Sequence, residues 1–200
     1  MRLIRMRRTN YCLIVISFLL TTVSCTEVHN PKPKGYNRFD LPPHEYLSLS
    51  EEYPYTFEVS KHSEVRPHKS AISEPNWIDI HYPALNATVE ITYKDLKAKQ
   101  NAIEGVLFDS HKLTNKHNVK AYAIDEYVMS TDKGYTASIF ELEGEVPSQF
   151  QFFVTDSSSN FIRGALYFPI STKNDSLAPA IEYIKKDIFH LLNSLEWKNS

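Results

Sequence analysis

Apolar residues recur along this chain with two different periods. Residues 149–156 and 161–168 are short runs rich in aromatic and branched side chains, separated by the turn-forming Ser157, Ser158, Ser159 and Asn160; this pattern predicts a β-hairpin. After Pro169 the period lengthens. Leu177, Ile181, Ile184, Ile188, Leu191, Leu192 and Leu195 fall on one stripe of an α-helix, and Glu182, Lys185, Lys186, Asp187 and Asn193 take the other side. Neither piece can hide its apolar face alone, so the helix is expected to lie across the hairpin's sheet and nucleate the core.

Upstream the signals are shorter. Residues 36–41 and 53–59 predict strands, the second broken at Pro54 and so placed at an edge. Residues 65–75, with Pro67 and Pro75 and no periodicity, predict a surface loop. Residues 77–82 and 88–93 alternate apolar and polar positions around Pro83, a second hairpin. Residues 95–117 predict a helix capped by Asp95, with Ile103, Val106, Leu107, Ser110, Leu113 and His117 on or near its buried side. Residues 119–129 and 135–143 form a third hairpin across Gly134. Connections this short favour antiparallel pairing, so the expected fold is α+β: a single twisted antiparallel sheet of hairpins with two packed helices. At the level of fold it resembles the sandwich of Mog1 and PsbP proteins.

The N-terminus changes the picture from fold to address. Arg2, Arg5, Arg7 and Arg8 precede an apolar run, residues 11–20, and then Val23, Ser24 and Cys25. A basic end followed by so short an apolar run is an export signal, too short for a lasting span of a bilayer core of about 30 Å. An uncleaved anchor is the alternative. A cysteine directly after small residues is what a bacterial lipoprotein signal requires, because its thiol takes the lipid. The expected organisation is a signal peptide over 1–24, a lipidated Cys25 with an extended tether through Pro31 and Pro33 over 25–35, and one α+β domain over 36–200. Cleavage before Cys25 removes Cys12, so no internal disulfide is possible. It also moves the formal net charge from −2 to about −6. That balance argues against binding nucleic acid, or anionic lipid through charge. Acyl chains on Cys25 would hold the protein at the membrane instead.

Candidate chemistry is sparse. The chain has 5 glycines, and Gly105, Gly134, Gly144 and Gly164 stand too far apart for a phosphate-cradling loop; none completes a serine-hydrolase elbow. His111 and His117 lack the helical spacing that lets two imidazoles share one zinc. Glu141, Glu143 and Glu145 alternate and, with Asp125, offer either an acidic calcium site or a solvated strand face; the second is favoured because no glycine-kinked acidic loop is present. Arg163, inside a core strand, either snorkels, pairs with a carboxylate or contacts an anionic partner. The aromatic load is heavy, Tyr 12 and Phe 11. Tyr36, Phe39, Tyr46, Tyr53, Tyr55 and Tyr82 either wrap the sheet or present a protein-binding surface. No catalytic residue, metal or cofactor is expected.

Several ordered motifs together resemble the gliding motility lipoprotein GldD family. They are Cys25, residues 31–36 with Tyr36 and Arg38, residues 53–57, 77–83, 116–121, 151–156, 163–168 and 175–179, and Glu196 with Trp197. The resemblance implies a lipoprotein carrying diacylglycerol and palmitate on Cys25, needed for gliding and tied to type IX secretion. It implies no enzyme, and partners among other gliding-motility and secretion proteins of the envelope. Arg163, Tyr36 and Arg38 are candidate contacts for a partner or an anion. Thr26 after Cys25 leans towards the outer membrane, facing the periplasm. A ligand-binding envelope module and an envelope hydrolase are the alternatives.

Overall fold

The hairpin of the last third forms as its pattern requires. In the computed structural model, which describes residues 39–49, 52–98, 102–115, 121–169 and 174–198, all described residues fall in one unit, Lys34–Ser200. The strands are β1 (Tyr46–Ser48), β2 (Tyr55–Thr56), β3 (Glu58–Ser60), β4 (Glu64–Pro67), β5 (Ile78–Tyr82) and β6 (Ala87–Asp95). They continue with β7 (Ala121–Ser130), β8 (Thr136–Gly144), β9 (Ser148–Thr155), β10 (Asn160–Tyr167) and β11 (Glu196–Trp197). Helices α1 (Ile103–Asn115) and α2 (Asn174–Ser194) complete the order.

One seven-stranded antiparallel sheet has the order β4-β5-β6-β10-β9-β8-β7. The β9/β10 hairpin therefore occupies its centre, and every residue of β9 is buried. Its turn is held by Asp156, whose Oδ1 accepts the N–H groups of Ser158 at 2.9 Å, Ser159 at 2.7 Å and Asn160 at 2.9 Å. Ser157 takes the left-handed φ of 63° that this tight turn needs. In the longer β7/β8 turn Gly134 takes the left-handed conformation, at φ 81°.

Alternation sorts the sheet's residues onto two faces. Ile78, Ile80, Val89, Ile91, Ile139, Phe150, Phe152, Val154, Ile162 and Leu166 face α2, whose Ile184, Ile188, Leu191, Leu192 and Leu195 complete the larger core. On the opposite face Phe140, Leu142, Phe153 and Phe161 receive Val106 and Leu107 of α1. The expected α+β architecture is present. Two further ribbons, β1-β3 and β11-β2, were not legible in the pattern.

Several local expectations are corrected. Residues 39–41 carry no strand, and the N-terminal strand forms instead at β1; residues 36–38 lie outside the described set. The run 53–59 divides at Phe57 into β2 and β3, because these strands pair with different partners, β11 and β1. The expected loop 65–75 begins as strand β4, paired with β5 and ending at Pro67, where an edge position tolerates the missing N–H. Asp95 does not cap α1. It is the last residue of β6, paired with Asn160, and its carboxylate caps the following turn through the Lys97 N–H at 2.9 Å. Helix α1 begins only at Ile103 and turns Ser110 and Thr114 inward, leaving Leu113 41% exposed. His117 and residues 116–120 lie outside the described residues.

Candidate functional site

Two polar assemblies stand out, one on each side of the sheet. The first joins α2 to the β1-β3 ribbon. Tyr183, Asp187 and His190 recur at four and three residues, a second stripe beside the apolar one. Asp187 was expected among the solvent-facing residues, yet it is 3% exposed. Its Oδ1 accepts a hydrogen bond from Tyr46 Oη at 3.0 Å and pairs with His44 Nδ1 at 2.7 Å. His190 stacks on Tyr46, with ring centroids 3.6 Å apart, and places Nε2 2.6 Å from Glu58. Ser194 Oγ accepts the Glu58 N–H at 2.9 Å. Burial, and then the neighbouring Asp187 charge, push the Tyr82 phenol far above its ordinary pKa. A buried carboxylate is costly without partners, so this latch fixes the ribbon to one place on α2.

Glu58, Ser60, Tyr82 and Asp187 line a small cavity beneath the latch. It has room for about one water molecule, far below the roughly 300 Å³ of a small-molecule pocket. As a ligand site it does not support the binding-module reading.

The second assembly is a row of charges on the face that α1 covers only in part. His68 Nδ1 lies 2.7 Å from Asp79 Oδ1. Asp79 stands directly opposite Glu90 across β5 and β6. Burial raises the Glu90 carboxyl pKa; His68 and Arg163 pull it down and Asp79 pushes it up. Arg163 donates to Gln151 Oε1, which also accepts from Thr114 of α1 at 3.1 Å. Burial lowers the guanidinium's pKa, and Tyr167 and Glu90 oppose that shift. Of the three sequence-derived contact candidates, Arg163 thus has partners of its own, so an external anion would compete with them. Tyr36, Arg38 and Cys25 lie outside the described residues.

The other candidates resolve into structural roles. Glu141 is not free for a cation: it accepts from Lys185 at 2.6 Å and from Tyr127 at 2.9 Å. Among the described residues no group of three or more His, Cys, Asp or Glu side chains could hold a metal. His111 packs edge-on against Phe140 and Phe153. Of the N-terminal aromatics, Tyr55 and Tyr82 are buried, and Phe39 and Tyr53 pack against the core. They wrap the sheet, as one of the two expectations held, and among the described residues the exposed aromatics lie elsewhere, at Phe108, Tyr122 and Tyr127. The latch is what the sequence reading missed. Its signal was the Tyr183, Asp187, His190 spacing.

These features define an α+β sandwich whose polar groups chiefly bind its own elements together. The chain belongs to the gliding motility lipoprotein GldD family, whose model matches residues 26–197. Membership makes it a membrane-anchored lipoprotein of the cell envelope, and among the described residues no helix is long and apolar enough to cross a membrane. No curated protein matches the chain. Among solved structures it is similar to the solution structure of cyanobacterial PsbP (CyanoP) from Synechocystis sp. PCC 6803, at 7% identity and a TM-score of 0.45, covering 80% of this chain and 97% of that one.

Proposed function

We propose that this protein is a non-catalytic assembly or stability factor for gliding motility, linked to type IX secretion. It is lipidated on Cys25 and anchored to the outer membrane facing the periplasm. The observation that carries the reading is where the family match starts: residue 26, directly after the cysteine that the export signal leads up to. The reading takes the signal peptide as 1–24, the tether as 25–35 and the domain as 36–200. A tether of such length lets the domain stand on the order of 30 Å from the bilayer, within reach of neighbouring envelope proteins. The internally committed polar groups support a body that others grip. Arg163, Tyr36 and Arg38 are the proposed partner or anion contacts, Arg163 by exchanging Gln151 or Tyr167 for the incoming group.

Deletion of the gene, complemented with wild type or with Cys25→Ala, tests this. The deletion strain is expected to lose spreading and to secrete less type IX cargo. Wild type should incorporate an alkyne-labelled fatty acid, whereas Cys25→Ala should neither label nor rescue. Normal spreading in the deletion strain would overturn the motility role, and rescue by Cys25→Ala would remove the lipid from the mechanism.

A further inference from the structure

The two ends of the seven-stranded sheet differ. Strand β4 is an edge of only four residues, closed by Pro67 and carrying Arg66 paired with Glu64, the features that keep an edge from pairing further. Strand β7, at the other end, has ten residues, neither proline nor lysine, and no partner on its outer side among the described residues. In an antiparallel edge strand, alternate N–H and C=O groups point away from the sheet. Along this edge Tyr122 is 83% exposed and Val128 65%.

The charge of this edge is one-sided. From Ala121 to Glu145 the chain carries Asp125, Glu126, Asp132, Glu141, Glu143 and Glu145 against Lys133 alone. Lys133 is itself tied to Glu196. Asp125 also stands directly opposite Glu141, and among the described residues the lysine bonded to that pair, Lys185, is held by Glu141.

From these observations we infer that β7 is a strand-addition site for an extended, lysine- or arginine-bearing segment of another protein. Main-chain bonds to the outer edge would supply the affinity, and incoming cations would meet Asp125 on one face of the sheet or Glu126 on the other, according to register. A second copy of this chain fits poorly. The midpoint of β7 falls between Asp125 and Glu126, and a two-fold between two such antiparallel edges sets a residue against its own copy, so self-pairing near full register opposes Asp125 to Asp125 or Glu126 to Glu126, like charges directly opposed. The acids thus select among partners: they repel the edge's own twin and attract a basic strand. This inference goes beyond the motility reading, since strand addition is measurable on purified protein whether or not gliding depends on it.

The test uses the full mature lipoprotein in detergent micelles. Two blocked ten-residue peptides serve as probes, one alternating Lys with Val and one alternating Glu with Val. The Lys-Val peptide should bind at least tenfold more tightly than the Glu-Val peptide and slow hydrogen exchange at alternate β7 amides. The double variant Asp125→Lys/Glu126→Lys, changed only at exposed positions, should invert that preference. Should it fail to fold, Val128→Lys should weaken the Lys-Val peptide at least threefold. Four outcomes overturn the proposal: no new protection on β7, equal binding of both peptides, a peptide-free dimer protected at β7, or β7 amides already shielded by another segment of the same chain.

Discussion

The ring of Phe152 lies against the backbone of Gly164, its direct cross-strand neighbour in the β9/β10 hairpin. A Cβ placed on Gly164 would sit 2.2 Å from Phe152 Cζ. Phe152 is 1% exposed and packed within the larger core. Gly164→Ala is therefore expected to cost about 2–4 kcal/mol in chemical denaturation. Combining it with Phe152→Leu should recover part of that loss, because the two substitutions act on one contact.

Asp187 and Tyr46 make the second prediction. Tyr46→Phe removes one donor and should cost about 1 kcal/mol. Asp187→Ala strips partners from Tyr46 and His44 together and should cost about 3 kcal/mol. Hydrogen exchange on the Asp187→Ala protein is expected to accelerate first in β1 and β3, with the central hairpin unchanged. Uniform acceleration would mean that the latch belongs to the core and is no separate clasp.

Stability should respond to acid through Asp156. Burial pushes this carboxyl upward, but the N–H bonds of Ser159, Asn160 and Ser158 and the Asn160 side chain outweigh it and bring the pKa down to about 2. A carboxylate whose folded pKa is depressed adds stability above its unfolded value, near 3.8, and loses it as pH falls towards 2. Asp156→Asn should then cost about 1 kcal/mol at pH 7, after allowance for solvent screening. The difference should close between pH 4 and pH 2 in urea titrations.

Glu90 carries the opposite sign. Its folded pKa is raised, with burial the largest cause, so the native state holds its proton more tightly than the unfolded chain. That contribution destabilises the fold as pH rises past the ordinary carboxyl range. Glu90→Gln is expected to raise the melting temperature at pH 7 and to leave it unchanged at pH 4. A lower melting temperature at pH 7 would show that Arg163 and His68 outweigh burial.

Trp197 is 7% exposed, pairs with Tyr55 across β11 and β2, and packs on Tyr135 at 5.7 Å. Trp197→Ala should cost about 3–5 kcal/mol. Trp197→Phe, which keeps an aromatic ring there, should cost less than half as much.

Legibility in the sequence followed periodicity. The hairpins β5/β6, β7/β8 and β9/β10 and helix α2 are long and strongly patterned, and each formed where its period placed it. The ribbons β1-β3 and β11-β2 escaped because strands of two or three residues have no period to read. Their partners are also far away in sequence, Thr56 with Glu196 and Tyr46 with Ser60. Helix α1 was misjudged at its start because β6 runs on as far as Asp95 to complete its ladder with β10. Asp187 looked like a surface charge because a lone carboxylate beside an apolar stripe usually is one. Only the arrival of His44 and Tyr46 from a distant segment made its burial tolerable. Cys25 and the expected signal peptide and tether lie outside the described residues.

The pairing of Tyr55 with Trp197 sets a timetable for the polypeptide. A chain synthesised N-terminus first cannot complete its larger core until α2 and the final strand have emerged. Until then β2, which carries Tyr55, lacks its partner strand. A product clipped before Trp197 would be left with its core ajar, Tyr55 without its strand partner and open to proteolysis.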